Sequence, residues 1–186
     1  MQKPLPISKS DLISALGEGQ TFKFLCFWSH EQNAKHVTKA CLSQWYPSSF
    51  SIEGKTYLTA EHFMMAEKAK LFGDIEKIQA VLSADNPGKA KALGREITGF
   101  SQEKWDKHKL DIVIRGNIEK FSQNPSLGEF LLKTGDRVLV ESSPRDRIWG
   151  CGLADNDPYI ENPEHWPGEN LLGFALMEVR RKLRKQ

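Results

Sequence analysis

Three acids, one lysine and several tryptophans stand at spacings that let them act together. Glu61 and Lys68 lie seven residues apart in the run Tyr57-Leu58-Thr59-Ala60-Glu61-His62-Phe63-Met64-Met65-Ala66-Glu67-Lys68-Ala69. On an α-helix they share one face, two turns apart, with Met65 between them. A carboxylate and an ammonium on an otherwise apolar stripe must pair or face a polar cavity, because burying either alone is costly. The plainer alternatives are a first-turn acid favoured by the helix dipole and a solvated lysine.

A second segment, Leu139-Val140-Glu141-Ser142-Ser143-Pro144-Arg145-Asp146-Arg147-Ile148-Trp149-Gly150-Cys151-Gly152, gathers two acids, an arginine pair, a Trp and glycines. Irregular stretches on a rigid scaffold often carry sites. The face of Trp149 can stack on a base, and Gly150 lets backbone N–H groups approach phosphate. The alternative is a surface loop with Trp149 folded into the core. Asn170, before Leu171-Leu172-Gly173, opens a helix whose N-terminus is either an anion site or simply capped by the Asn side chain. Arg95 can clamp phosphate through its planar fork, or sit in a surface ion pair. Trp28 and Trp105 are further stacking candidates.

These types suit cleavage of a ribosyl C–N bond. The reaction passes through an oxocarbenium-like state at the anomeric carbon, which a nearby carboxylate stabilises while it orients or deprotonates water. A second group must help the base or amine leave. Glu61, Asp146 and Glu141 are candidates for the first task and Lys68 for the second. Trp28, Trp105 and Trp149 can hold the heterocycle, and Arg95 and Asn170 lie where phosphate would bind.

The elements that must position these residues read as follows. Ser8 to Leu16 is a short helix with a Ser8/Asp11 capping pattern, stopped at Gly17 and Gly19. Phe22 to Trp28 reads as a buried strand, and Phe50 to Ile52 pairs with Lys55 to Leu58 across Glu53-Gly54. Thr59 caps a helix ending at Gly73. Ile75, Ile78 and Leu82 have helical spacing. Asn86-Pro87 opens another helix, and Ser101 a longer one that ends at Asn124-Pro125. Ser126 and Glu129 form a capping box for Leu127 to Lys133, and Val138 to Val140 is a strand. Leu172, Leu176, Val179 and Leu183 line one face of a final helix, whose basic end suits the dipole. The expected fold is α+β, mostly helical, with a small antiparallel sheet, in a single domain spanning 1–186.

Composition narrows the function classes. A chain of 186 residues with 39% hydrophobic and 27% charged residues is globular rather than disordered. Its formal net charge of +2 neither announces nor excludes a nucleic-acid partner. Cys26, Cys41 and Cys151 have no close spacing, which argues against a disulfide scaffold or a zinc site, so no metal is expected. No stretch approaches the ~20 apolar residues needed to span a bilayer, and no apolar leader follows Met1, so a cytoplasmic protein without membrane partners is expected. The absence of GxGxxG and of a P-loop removes support for a dinucleotide or nucleotide cofactor, and none is expected.

Motifs in order along the chain add a resemblance. Trp45-Tyr46-Pro47-Ser48-Ser49-Phe50, Glu61-His62-Phe63-Met64 with Lys68-Ala69, Leu71-Phe72-Gly73-Asp74 and Leu93-Gly94-Arg95 are followed by Trp105, Gly116-Asn117 and Lys120-Phe121. Leu131-Leu132-Lys133-Thr134-Gly135, Leu139 to Asp146, Trp149-Gly150 and Asn170-Leu171-Leu172-Gly173 with Leu176-Met177 complete the set. Together they resemble the NADAR family, the YbiA-like N-glycosidases, over about residues 22–183. The resemblance implies a mostly helical fold and hydrolysis of ribosyl N-glycosidic bonds. The implied substrates are phosphoribosylamino-pyrimidine intermediates of riboflavin synthesis or ADP-ribose attached to guanine in nucleic acid, so partners are small ribosyl-phosphate or ADP-ribosyl compounds, or ADP-ribosylated DNA. Glu61, Lys68, Asp146 and Trp149 match the family's glutamate, downstream lysine and D-x-x-W-G loop. Gln44, Met65 and Cys151 depart from the family pattern near the expected pocket. Two competing readings are a non-catalytic ADP-ribose or NAD-binding module, and a nucleic-acid hydrolase that uses the basic tail to approach DNA. A further variant has Lys68 attack a ring-opened C1 aldehyde.

Overall fold

A computed structural model describes residues 5–33 and 35–185; the Met1–Pro4 segment, read above as lacking a leader, lies outside them. Helix α1 spans Lys9–Gly17 and strand β1 Phe24–Phe27. A 3-10 turn at Lys39–Leu42 leads to the hairpin of β2 (Phe50–Ile52) and β3 (Lys55–Tyr57). Helices α2 (Ala60–Phe72), α3 (Ile75–Leu82), α4 (Pro87–Arg95), α5 (Gln102–Gln123) and α6 (Pro125–Lys133) follow. Strand β4 (Val138–Glu141), a long loop and α7 (Leu171–Leu183) complete the described chain.

Local chemistry sets most of these boundaries. Glu53 and Gly54 have φ of 50° and 75°, the left-handed pair that a two-residue hairpin turn requires. Thr59 accepts from His62 N to open α2, and Gly73 closes it in the left-handed region at φ 74°. Asn86 caps α4 by accepting from Lys89 N, with Pro87 in the first turn. Helix α6 begins differently from the expected Ser126/Glu129 box: Asn124 precedes Pro125 and caps without its side chain. Its amide instead donates to Ser49 O and Lys120 O, tying the α5–α6 corner to the hairpin, while Glu129 pairs with Lys133. Ile75, placed inward by its spacing, is 70% exposed, because α3 turns Val81 to the core instead.

The fold is α+β and mostly helical, as expected. The hairpin is antiparallel, with Phe50 opposite Tyr57. The other ladder differs from the expected sheet: β1 and β4 pair in parallel, Phe24 with Val138 through Phe27 with Glu141. The long helical run between the two strands supplies the crossover that parallel pairing needs. Val138, Leu139 and Val140 are fully buried under α7, in one core with Leu172, Leu176 and Val179. This buried strand carries Glu141 at its end. Among the described residues, no helix is long and apolar enough to cross a membrane.

The basic end of α7 is a structural feature rather than an open charged face. Arg180 is fully buried, donating to Thr134 Oγ1 at 2.7 Å and Arg137 O at 3.0 Å. Arg181 and Lys182 pair with Glu178, and Arg184 pairs with Asp136.

Candidate active site

Helices α2 and α4, the segment Ser43–Trp45 and the loop after β4 enclose a cavity of about 190 Å³. The approach of α2 to α4 needs a glycine: a Cβ on Gly94 would come within 2.0 Å of Met65 Sδ. That proximity lets Lys68 Nζ donate to Gly94 O at 2.7 Å, with the rings of Phe100 and Trp105 beside it at 4.4 and 5.5 Å. Burial lowers the Lys68 pKa, and Glu61 partly restores it.

Glu61 sits at the start of α2, where its N–H donates to Gln44 O at 3.0 Å. Its side chain is 2% exposed, and its Oε1 has no hydrogen-bond partner. Burial pushes its pKa up to about 7, against the pull of Lys91 and the Trp45 side chain; Asp146 adds to the rise. Glu141, at the end of β4, also ends in a buried oxygen without a partner, Oε2. Burial again leads, Asp146 and Glu61 reinforce it, and the pKa rises to about 8. Asp146 completes a carboxylate trio, but Oδ1 is engaged: Ile148 N and Trp149 N donate to it at 2.9 and 2.8 Å. These bonds fold the loop so that Trp149 lines the cavity.

Of four buried side-chain polar atoms without partners among the described residues, three belong to residues that line this cavity: Gln44 Nε2, Glu61 Oε1 and Glu141 Oε2. Folded proteins rarely leave such atoms unpaired, so this cluster is open to partners from a ligand or from water. The cavity opens into a groove of about 530 Å³ that shares Ser43, Trp45, Lys91, Arg95, Glu141 and Asp146 with it. Arg145 and the 61% exposed Trp28 border only this groove.

The structure thus gathers Glu61, Lys68, Asp146, Arg95, Trp105, Glu141 and Trp149 around one cavity, with Trp28 on the adjoining groove. Two expected site residues stand elsewhere. Gly150 is buried behind the loop, where a Cβ would lie 2.9 Å from Asp146 O and 3.1 Å from Glu141 O; it permits the loop's close return rather than presenting N–H groups to phosphate. Asn170 is fully buried and caps nothing with its side chain. It accepts from Glu141 N and donates to Leu139 O, both at 2.9 Å.

Two residues were missed. Lys91 borders both cavity and groove, with its Nζ 5.8 Å from the Trp45 ring centroid. Its position four before Arg95 puts both cations on one face of α4, a signal available in the sequence. Trp45, in the aromatic run before the hairpin, forms the cavity wall beside Glu61. Among the described residues, no group of three His, Cys, Asp or Glu side chains is arranged to hold a metal ion.

Comparison with known proteins places this geometry. Residues 26–184 match the family model described as NADAR domain. The chain is 43% identical to an N-glycosidase of Acanthamoeba polyphaga mimivirus, over 87% of this chain and 96% of that protein. It is 33% identical to a riboflavin biosynthesis protein of Vibrio vulnificus (strain YJ016), over 77% of this chain but 35% of that one. The NMR structure of the E. coli protein YbiA superposes with a TM-score of 0.71 at 26% identity, covering 89% of this chain and 88% of that one.

Proposed function

Since the chain belongs to the NADAR domain family, in which similar proteins are named N-glycosidases, we propose that it hydrolyses the C–N bond between a ribosyl anomeric carbon and a base or amine, in ADP-ribosylated guanine or a phosphoribosylamino-pyrimidine. The observation that carries this reading is the pair of buried carboxyl groups, Glu61 and Glu141, with unpartnered oxygens in one cavity. Glu61, with the lower pKa, is the ionised member that stabilises the oxocarbenium ion and orients water. Glu141, with the higher, stays protonated and donates to the departing nitrogen. Asp146 holds the loop and strengthens the negative field. Trp105 and Trp149 flank the ribosyl group. Lys91, Arg95 and Arg145 face phosphate in the groove, and the exposed Trp28 offers a stacking face there. A binding module would need these cations and rings, but not two carboxyl groups with buried, unpartnered oxygens in one cavity.

The test is incubation with an ADP-ribosylated guanine oligonucleotide and with a phosphoribosylamino-pyrimidine, following release by mass spectrometry with Glu61→Gln as control. Release from either substrate, lost in the variant, supports the reading and identifies the substrate. No release from either, with ADP-ribose still bound, leaves a binding module.

Two further outcomes are expected. The pH profile of kcat/KM is bell-shaped: activity falls below about 7 as Glu61 gains a proton, and above about 8 as Glu141 loses one. A profile flat from pH 6 to 9 contradicts the assignment. Lys68, an amine whose pKa burial lowers, can also condense with the C1 aldehyde of a ring-opened ribosyl group, losing water to form a Schiff base. Borohydride added during turnover then leaves a reduced ribosyl adduct on Lys68; an unmodified Lys68 limits it to binding.

A further inference from the structure

Gln44 Nε2 is a buried donor without a partner in a cavity whose other unpaired side-chain atoms are carboxyl oxygens. The orientation of its amide is fixed from a distance. Asn117 on α5 is fully buried, and its Nδ2 donates to Val113 O at 2.9 Å and to Gln44 Oε1 at 2.7 Å. Val113 O is a backbone carbonyl and can only accept, so it holds the Asn117 amide with nitrogen toward it. The remaining Nδ2 hydrogen then demands an acceptor from Gln44. That turns Gln44 Oε1 toward α5 and leaves Nε2 for the cavity. One turn further along α5, the buried Lys120 donates to Ser43 O at 2.8 Å and holds the same segment in place.

We propose that Gln44 is a specificity residue, donating through Nε2 to the substrate hydroxyl next to the anomeric carbon, and that Asn117 is the positioning residue that sets its polarity. The proposal rests on the ribosyl substrate proposed above. A hydroxyl is the group that fits the cavity's inventory: it accepts from Gln44 Nε2 and donates to the ionised Glu61 at Oε1, whereas a carbonyl would satisfy only the donor. The placement follows from the chain, because Gln44 O accepts from Glu61 N and both side chains enter the cavity side by side. A carboxylate acting at the anomeric carbon has the neighbouring hydroxyl within reach. A ligand without that hydroxyl leaves a buried donor unpaired, and such sites discriminate strongly.

The experiment measures binding of ADP-ribose and of its analogue lacking the terminal-ribose 2-hydroxyl, by calorimetry, alongside hydrolysis assays. Wild-type protein is expected to prefer ADP-ribose at least about 10-fold. Gln44→Met keeps the length, removes the donor, and is expected to bind the two alike. Asn117→Leu removes the donor to Gln44 Oε1, so the Gln44 amide is no longer held and the preference is again lost; circular dichroism verifies that each variant is folded. A preference that survives in Gln44→Met overturns the proposal, as does wild-type protein that binds both ligands equally or neither. Wild-type protein that discriminates but hydrolyses nothing keeps the proposal and removes the N-glycosidase reading; hydrolysis without discrimination does the reverse.

Discussion

Glu61→Gln is expected to lower kcat/KM for C–N hydrolysis by about 10³-fold while leaving the fold and ADP-ribose binding in place. Gln is nearly isosteric but carries no charge to set against the oxocarbenium ion. The same change should stabilise the free protein, and the sign can be derived. The folded-state pKa of Glu61 is about 7, above its ordinary 4.5. The folded protein therefore holds this proton where the unfolded chain has released it. The stability associated with the protonated form is complete below 4.5 and is lost progressively as pH rises through about 7. Glu61→Gln removes that loss, so the variant's advantage over wild type should be small at pH 4.5 and reach about 3 kcal/mol above pH 7. Denaturant titrations at pH 5 and 8, with steady-state kinetics, measure both halves. A variant that keeps a tenth of wild-type activity, or shows no pH-dependent stability gain, contradicts the assignment of Glu61 as a buried, functionally strained acid.

How much of this was legible in the sequence depends on the range of the interaction. Caps and turns are local, so Ser8, Thr59, Asn86 and Gly73 marked their helix ends correctly. The spacing of Glu61 and Lys68 likewise placed both on the cavity side of α2. What could not be read was partnership across the chain. The parallel pairing of β1 with β4 joins residues far apart in sequence, and nothing in Phe24–Phe27 names Val138–Glu141 as its neighbour. The basic end of the last helix was read only as suiting the dipole, and only tertiary structure shows that Thr134 and Arg137 receive Arg180 in the interior. Gln44 stood out only as a departure from a family pattern. Its function as a fixed donor depends on Asn117 and Val113, on another helix. Gly150 and Asn170 were read as substrate-binding residues, but neither lines the cavity, and their contacts hold the loop and strand that carry Asp146 and Glu141.

Asn170 shows what that holding is worth. Strand β4 uses one edge for β1, as in Val138 N donating to Lys23 O and Ser142 N to Phe27 O. Its other edge presents Leu139 O and Glu141 N, and the Asn170 carboxamide meets both, standing in for the peptide group of a missing strand. The first turn of α7 fits so closely there that a Cβ on Gly173 would lie 2.0 Å from Leu139 O. Asn170→Ala leaves two buried backbone groups unpaired, at about 1–3 kcal/mol each. It also places Ala at a left-handed φ of 54°, which adds about 1 kcal/mol. The expected loss of about 3–7 kcal/mol is a large part of a typical domain's stability. Asn170→Gly removes only the backbone penalty and should recover about 1 kcal/mol of it. Activity separates the two contributions. Both variants free the N–H of Glu141, and a shift of about 1 Å in its carboxyl group costs on the order of 10²-fold in rate. Asn170→Gly should therefore regain some stability over Asn170→Ala but no activity, in denaturant titrations paired with kcat measurements under conditions where both variants stay folded. Recovery of activity in the glycine variant would mean that Asn170 acts through backbone geometry alone, and that Glu141 does not depend on the carboxamide for its place.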